Sequence, residues 1–127
     1  SLSLAINPNS PDAYYSRAIV KNELYTWKSA LRDYDKAIEI APDFASAILN
    51  RGTVKDENED YIGAIEDYNK VLSLKELDIE NQQSAYFNRG NTYFNLKNNE
   101  KACEDWKKAV ELGAEYAKER IEKHCKH

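Results

Sequence analysis

Apolar residues recur along this chain at the three- and four-residue spacing of an α-helix, and this helical pattern is itself repeated. In each copy a large residue is followed by a small one four positions later, and further on by an alanine and then an aromatic residue. The copies are Tyr14, Ala18, Ala30 and Tyr34; Ile48, Gly52, Ala64 and Tyr68; and Tyr86, Gly90, Ala102 and Trp106. They begin 34 and then 38 residues apart. Such a period predicts a stacked array of helical hairpins, because a lone hairpin cannot bury both of its apolar faces.

Residues that favour helix ends divide each copy into two helices. Ser10 followed by Pro11 predicts the start of a first helix that runs to about Leu24. Asp43 predicts the start of the third helix, and Gly113 predicts the end of the sixth. One repeat position holds a potential N-cap in all three copies, filled by Thr26, Asp60 and Asn98. We therefore expect antiparallel helices joined by very short turns.

These positions resemble the tetratricopeptide repeat family, whose pattern continues with a further alanine and a proline. The last two positions hold Ala37 and Pro42, then Val71 and Glu76, then Ala109 and Ala114. The resemblance covers Pro11 to about Ala114. It implies an all-α fold, a right-handed superhelical solenoid of antiparallel helix hairpins.

We predict a single domain over residues 1–127 with three repeats, a leading partial helix and a C-terminal capping helix. The repeats are assigned to 11–44, 45–78 and 83–113, with an insertion at 79–82 that predicts a longer helix or a wider connection. Residues 1–9 match the end of a preceding second helix, with Pro8 in the position of Pro42. Residues 114–127 form the capping helix, whose apolar side carries Ala114, Ala117, Ile121 and Cys125.

Composition and motifs argue against several classes of function. The net charge is −4, the pI is near 5.2, and the chain has no Lys/Arg-rich block, so we expect no nucleic-acid partner. No stretch approaches the roughly 20 apolar residues that a membrane span requires. Catalysis is not expected either, since the chain has no phosphate-binding glycine loop and no histidine before residue 124. We predict a non-enzyme without a cofactor.

The two cysteines and the C-terminal histidines allow alternatives. We expect Cys103 and Cys125 to be reduced, one half-buried beside Ala102 and the other on the apolar side of the cap; the alternative is a disulfide between them. The compartment is left open, with a cytoplasmic one slightly favoured. His124, Cys125 and His127 are potential metal ligands, but they lie at a terminus, where disorder is usual, so no metal site is predicted.

The resemblance implies that the first helix of each repeat lines a concave groove. The predicted partner-binding residues are Tyr15, Ser16, Ile19, Leu49, Asn50, Thr53, Phe87, Asn88, Asn91 and Phe94. Apolar side chains there would supply contact area, and the asparagines would pair with a peptide backbone. We predict a protein–protein interaction module that binds a peptide or partner helix in this groove. The alternative is a structural spacer or a self-assembly module that associates through the exposed N-terminal half-repeat.

Two further patterns narrow the ligand. The family's clamp for the C-terminal carboxylates of chaperone tails requires lysine and arginine, yet only Asn50 matches the clamp. The other clamp positions hold Tyr15, Ile19, Ser84 and Asn88, so no chaperone-tail ligand is expected.

A repeated charge pair is the second pattern. Each arginine of Arg17, Arg51 and Arg89 is followed sixteen positions later by Asp33, Asp67 or Asp105. We interpret these as structural ion pairs rather than as an arginine row for acidic ligands, because the partner repeats as faithfully as the arginine.

Overall fold

The computed structural model describes residues 9–24 and 26–125, except for the side chains of residues 23 and 24. Within these ranges the chain forms α-helices and one short 3₁₀ turn, Glu115–Ala117, and no strand. The helices are α1 (Pro11–Leu24), α2 (Trp27–Ile40), α3 (Ala45–Glu57), α4 (Tyr61–Leu72), α5 (Ile79–Asn95), α6 (Asn99–Glu111) and α7 (Lys118–His124). Consecutive helices pair as α1–α2, α3–α4 and α5–α6, and each pair packs on the next. The predicted all-α architecture is confirmed.

Side-chain caps fix the start of the second helix in every hairpin. Thr26, Asp60 and Asn98 each accept a hydrogen bond from the backbone N–H three residues on, at 3.2, 3.0 and 3.2 Å. Each cap satisfies one of the N–H groups that a helix start leaves unpaired, as predicted. The third helix differs from the expectation: α3 begins at Ala45 after Phe44, which makes no side-chain cap, so Asp43 is not the capping residue.

Three of the helices end at residues whose backbone is in the left-handed conformation. Glu59, Lys97 and Gly113 have φ values of 69°, 64° and 104°, just after α3, α5 and α6. Gly113 adopts this conformation without a steric penalty, which confirms the predicted end of the sixth helix.

The small residue of each repeat makes room for the aromatic residue of the second helix. A Cβ atom on Gly52 would lie 2.8 Å from Cε1 of Tyr68, and one on Gly90 would lie 2.8 Å from Cδ1 of Trp106. For each glycine the nearest neighbour is therefore this ring, not an alanine of the second helix. Both rings are buried, so the glycine sets how closely the two helices approach.

The insertion before the third repeat lengthens the helix α5; the connection that precedes it is also longer, but because α4 has 12 residues against 14 in α2. The helix α5 has 17 residues, against 14 in α1 and 13 in α3. Residues 73–78 join α4 to α5, whereas residues 41–44 join α2 to α3. Asp78 caps the extended helix by accepting a hydrogen bond from the N–H of Asn81.

The C-terminal segment folds back on α6 and corrects the expectation for the cysteines. The predicted capping helix is split into the 3₁₀ turn and the seven-residue α7, with Ala114, Ala117 and Cys125 buried on its inner side. Cys103 of α6 and Cys125, the residue after α7, form a disulfide across 22 positions of sequence. The prediction of reduced thiols is therefore wrong, and the alternative is the one observed.

Candidate functional site

The repeated arginine–aspartate pairs lie inside the hairpins and are confirmed as structural. In each hairpin two guanidinium nitrogens of the arginine donate to both carboxylate oxygens of the aspartate at 2.7–3.1 Å. The three carboxylates are buried. Hydrogen bonding to Asp105 raises the pKa of Arg89 above its ordinary value despite desolvation. A bidentate pair of this kind leaves the arginine little capacity for an acidic ligand.

Two of the arginines also join neighbouring hairpins. Nη1 of Arg51 donates to Asp35 at 2.8 Å, and Nη1 of Arg89 donates to Asn69 at 2.8 Å. Within the described residues Arg17 makes no bond of this kind, and its side chain is 51% exposed, against 16% for Arg51 and 21% for Arg89. The arginines therefore hold successive hairpins in register.

The predicted binding residues lie on α1, α3 and α5, whose shared surface we call the groove face. Leu49 is 7% exposed and belongs to the hydrophobic core, so it has almost no area to offer a partner. This corrects its assignment as a contact residue. Ser16 is exposed, and the other eight predicted residues are partly exposed.

Several of these side chains already have contacts within the chain. The ring of Tyr15 packs 4.9 Å from that of Phe44, and its hydroxyl accepts a hydrogen bond from Nδ2 of Asn50 at 3.1 Å. Thr53 donates to the carbonyl of Leu49 at 3.2 Å. Tyr15 and Asn50 thus bridge the first and second hairpins beneath the groove face.

The third hairpin differs because the C-terminal segment covers its aromatic residues. The ring of Phe87 meets Tyr116 at 4.9 Å, and the ring of Phe94 meets His124 at 4.3 Å. Oδ1 of Asn91 accepts a hydrogen bond from Nε1 of Trp106 at 3.0 Å. Of the predicted residues on α5, Asn88 alone makes none of these contacts.

An open depression of about 210 Å³ lies on the groove face between the first two hairpins. It is lined by Ile19, Asn22, Tyr34, Asn50, Thr53 and Val54. Three of the predicted binding residues, Ile19, Asn50 and Thr53, meet there. The structure thus brings together the α1 and α3 parts of the predicted site.

Unpaired amide groups follow the groove face. The side chains of Asn22 and Asn88 make no hydrogen bond to any described residue, and Asn50 uses only its Nδ2. In the described chain no buried side-chain oxygen or nitrogen is left without a partner, so the unpaired amides are those open to solvent. Each can donate to and accept from a ligand.

Charge is distributed unevenly over this face. The repeat register directs Asp12, Asp56 and Glu57 towards its α1 and α3 part, and no lysine or arginine lines the depression there. At the third hairpin, Arg120 lies beside Phe87 and Lys97 lies near Phe94. Lys21 and Lys55 point elsewhere, because they bind Asp33 and Asp67 at 3.0 and 3.2 Å.

The potential metal ligands at the C-terminus and the N-terminal half-repeat need separate comment. Cys125 is bonded to Cys103 and is not available as a thiolate, while His127 lies outside the described residues. The described residues also exclude Leu2–Pro8 and the side chain of Glu23. Most of the half-repeat predicted to mediate self-association therefore lies outside the described residues. None of the helices in the described ranges has the length and apolar character needed to cross a bilayer.

Two features were missed from the sequence. One is that Trp27 is exposed at the start of α2. The covering of Phe87 and Phe94 by the C-terminal segment was also missed. The available signal was the spacing of Ala114, Ala117, Ile121 and Cys125, which already directed one side of this segment towards the array.

Comparison with known proteins identifies the repeat. Models of the tetratricopeptide repeat match residues 45–76 and 83–116, whereas none of the curated protein sequences matches the chain. The N-terminal domain of stress-induced protein-1 (STI-1) from C. elegans is similar in structure, with a TM-score of 0.83 at 16% identity over 91% of this chain and 94% of that one. The first TPR of Spaghetti (RPAP3), bound to HSP90 peptide SRMEEVD, has a TM-score of 0.82 at 19% identity, with 94% of both chains covered. Pseudomonas aeruginosa pilF has a TM-score of 0.79 at 26% identity, over 87% of this chain and 49% of pilF. The chain belongs to the tetratricopeptide repeat family.

Proposed function

We propose that this chain is a non-enzymatic interaction module that binds a peptide segment of a partner protein on the groove face. The observation that carries the proposal is the depression between α1 and α3, where Ile19 lies beside two amides. Asn22 makes no hydrogen bond to a described residue, and Asn50 uses only its Nδ2. An amide side chain can donate to a peptide carbonyl and accept from a peptide N–H, and so reads an extended backbone. Ile19, which is partly exposed, offers the apolar surface for one side chain of the ligand, whereas Val54 is buried beneath it.

The charge of the groove face narrows the class of peptide. Spaghetti binds an HSP90 peptide, but such acidic tails need cations, and here Tyr15, Ile19, Ser84 and Asn88 stand at the clamp positions. Asp56 and Glu57 at one rim would repel a carboxylate. We therefore expect an internal segment, neutral or basic, rather than an acidic C-terminus.

The test uses peptides selected for binding and a pair of matched variants. Random peptides are selected on the immobilised protein, and their dissociation constants are measured by fluorescence anisotropy. Asn22→Arg with Asn88→Arg places two bulky cations on the groove face, and we expect affinity to fall about tenfold or more, the loss of one or two well-placed contacts. Ile40→Arg with Ile62→Arg adds the same charge at exposed positions of α2 and α4 and should leave affinity unchanged.

Two outcomes would contradict the proposal. One is equal affinity of the selected peptides for the wild type and the groove variant. The other is binding of the peptide SRMEEVD as strong as that of the selected peptides, since no lysine or arginine lines the depression between α1 and α3. Leu49 is avoided as a test position, because its substitution would disturb the core.

A further inference from the structure

The C-terminal segment lies on an aromatic surface made by Phe87, Phe94 and Trp106. The ring of His124 lies 4.3 Å from that of Phe94 and 5.8 Å from that of Trp106, tilted against both. The guanidinium of Arg120 lies 5.8 Å from the Trp106 ring and 6.0 Å from that of Phe87. With this segment in place Trp106 is fully buried. The segment therefore acts as the cover of a surface that would otherwise face solvent.

The helix α7 is too short to hold this place by itself. It has seven residues, and none of them is buried. Isolated helices of fewer than about 12 residues are marginal in water. Its other contacts include the packing of Ile121 on the apolar cluster that holds Ala117, a hydrogen bond from Nδ2 of Asn99 to the carbonyl of His124 at 2.8 Å, and the disulfide from Cys103 to Cys125.

The disulfide borders an opening on the surface, although both of its cysteines are largely buried. An open cavity of about 290 Å³ is lined by both cysteines, with Lys107 and His124 beside them. A thiolate of a dithiol reductant attacks one sulfur, the S–S bond breaks, and a mixed disulfide forms. The second thiol of the reductant then displaces the protein sulfur. The two electrons and two protons come from the dithiol, which becomes a disulfide, and Cys103 and Cys125 become thiols.

We propose that the Cys103–Cys125 disulfide is a redox latch, which holds α7 over the aromatic surface when oxidised and releases it when reduced. The bond closes a loop of 22 residues. Loss of a crosslink of this span changes the ratio of closed to open forms by roughly a hundredfold. The aromatic surface is closed by the chain's own helix in the oxidised protein and open to solvent in the reduced one.

The latch lies on the third hairpin, away from the depression between the first and second. Its operation needs no ligand there. One consequence does rest on the proposed peptide site: release would uncover more of Phe87 and Phe94, which lie on the groove face. Experiments without peptide test the latch separately.

Hydrogen exchange measured by mass spectrometry tests the release directly. Thiol titration first verifies that the oxidised protein has no free thiol, and the protein is then compared before and after dithiothreitol. We expect the amides of α7 to exchange roughly tenfold faster or more after reduction, with α3 and α4 unchanged. The variant Cys103→Ser with Cys125→Ser should exchange like the reduced protein and should not respond to dithiothreitol.

Tryptophan fluorescence gives a second readout. The chain has two tryptophans, so Trp27→Phe leaves Trp106 as the reporter. Reduction should move its emission to longer wavelength as solvent reaches the ring. Three results would overturn the latch: two free thiols before reduction, unchanged α7 exchange after it, or an equal rise in exchange throughout α3 and α4, which would mean general destabilisation.

Discussion

Replacement of Arg51 by alanine should destabilise the fold far more than the same change at Arg17, although both occupy one repeat position. Arg51 donates two hydrogen bonds to Asp67, at 2.9 and 2.7 Å, and a third to Asp35 at 2.8 Å. Its loss leaves the carboxylate of Asp67, which is 5% exposed, with Lys55 as its cation at 3.2 Å. Breaking a buried pair from one side costs about 3–5 kcal/mol. Because Lys55 remains, we expect about 3 kcal/mol.

The change at Arg17 is the matched control. Its side chain is half exposed, it makes no bond to another hairpin within the described residues, and Asp33 keeps Lys21 at 3.0 Å. A loss of about 1 kcal/mol is expected for such an exposed pair.

Urea unfolding followed by circular dichroism at 222 nm gives both free energies, provided that the m-value is unchanged. Equal losses for the two variants would refute the reasoning, because burial and the bond between hairpins would then contribute nothing. A double-mutant cycle between Arg51 and Asp35 isolates that bond. Since Asp35 is 61% exposed, its coupling should be below about 1 kcal/mol. Peptide affinity should be unchanged in Arg51→Ala.

Two further changes test packing and charge. Gly52→Ala places a methyl group 2.8 Å from Cε1 of Tyr68. Overpacking destabilises the fold by about 1–3 kcal/mol, and the higher helix propensity of alanine stabilises it by about 1 kcal/mol. We therefore expect a net loss of about 1 kcal/mol in the free energy of unfolding measured in urea, and a gain would contradict the close contact. Burial opposes ionisation of Asp33, but hydrogen bonds from Arg17 and Lys21 outweigh it and lower its pKa below 3.8. A carboxyl with a lowered folded-state pKa stabilises the fold above the unfolded-state pKa, and this contribution is lost as the pH falls through the folded-state value. The difference in unfolding free energy between wild type and Asp33→Asn should therefore shrink from pH 7 to pH 3, and a constant difference would count against the ion pair.

The fold was predictable because its signals are local. A cap before each second helix and a small residue opposite an aromatic one are requirements of a single hairpin, so they recur in the sequence at a fixed period. The Arg51–Asp67 pair is predictable for the same reason, since both residues belong to one hairpin. The bond from Arg51 to Asp35 was not assigned beforehand, because it depends on how two hairpins stack.

The candidate site was less predictable, because register gives the direction of a side chain but not what covers it. Leu49 and Phe87 occupy the same repeat position, yet Leu49 is in the core whereas Phe87 is partly exposed. Leu49 is enclosed by the core cluster, whereas Phe87 contacts Tyr116 of the C-terminal segment. The disulfide depended likewise on how that segment folds back, which left two states of Cys103 and Cys125 open.

The two hydrogen bonds between hairpins have acceptors of different charge. The strengths of the two junctions should therefore depend differently on salt concentration. Arg51 meets a carboxylate, Asp35, whereas Arg89 meets the neutral amide of Asn69. Dissolved ions screen the attraction between two exposed charges more than a hydrogen bond to an amide. Rising ionic strength therefore loosens the junction of the first and second hairpins before that of the second and third. In an array whose units are held by their neighbours, the order of fraying is then set by the electrolyte as well as by the sequence.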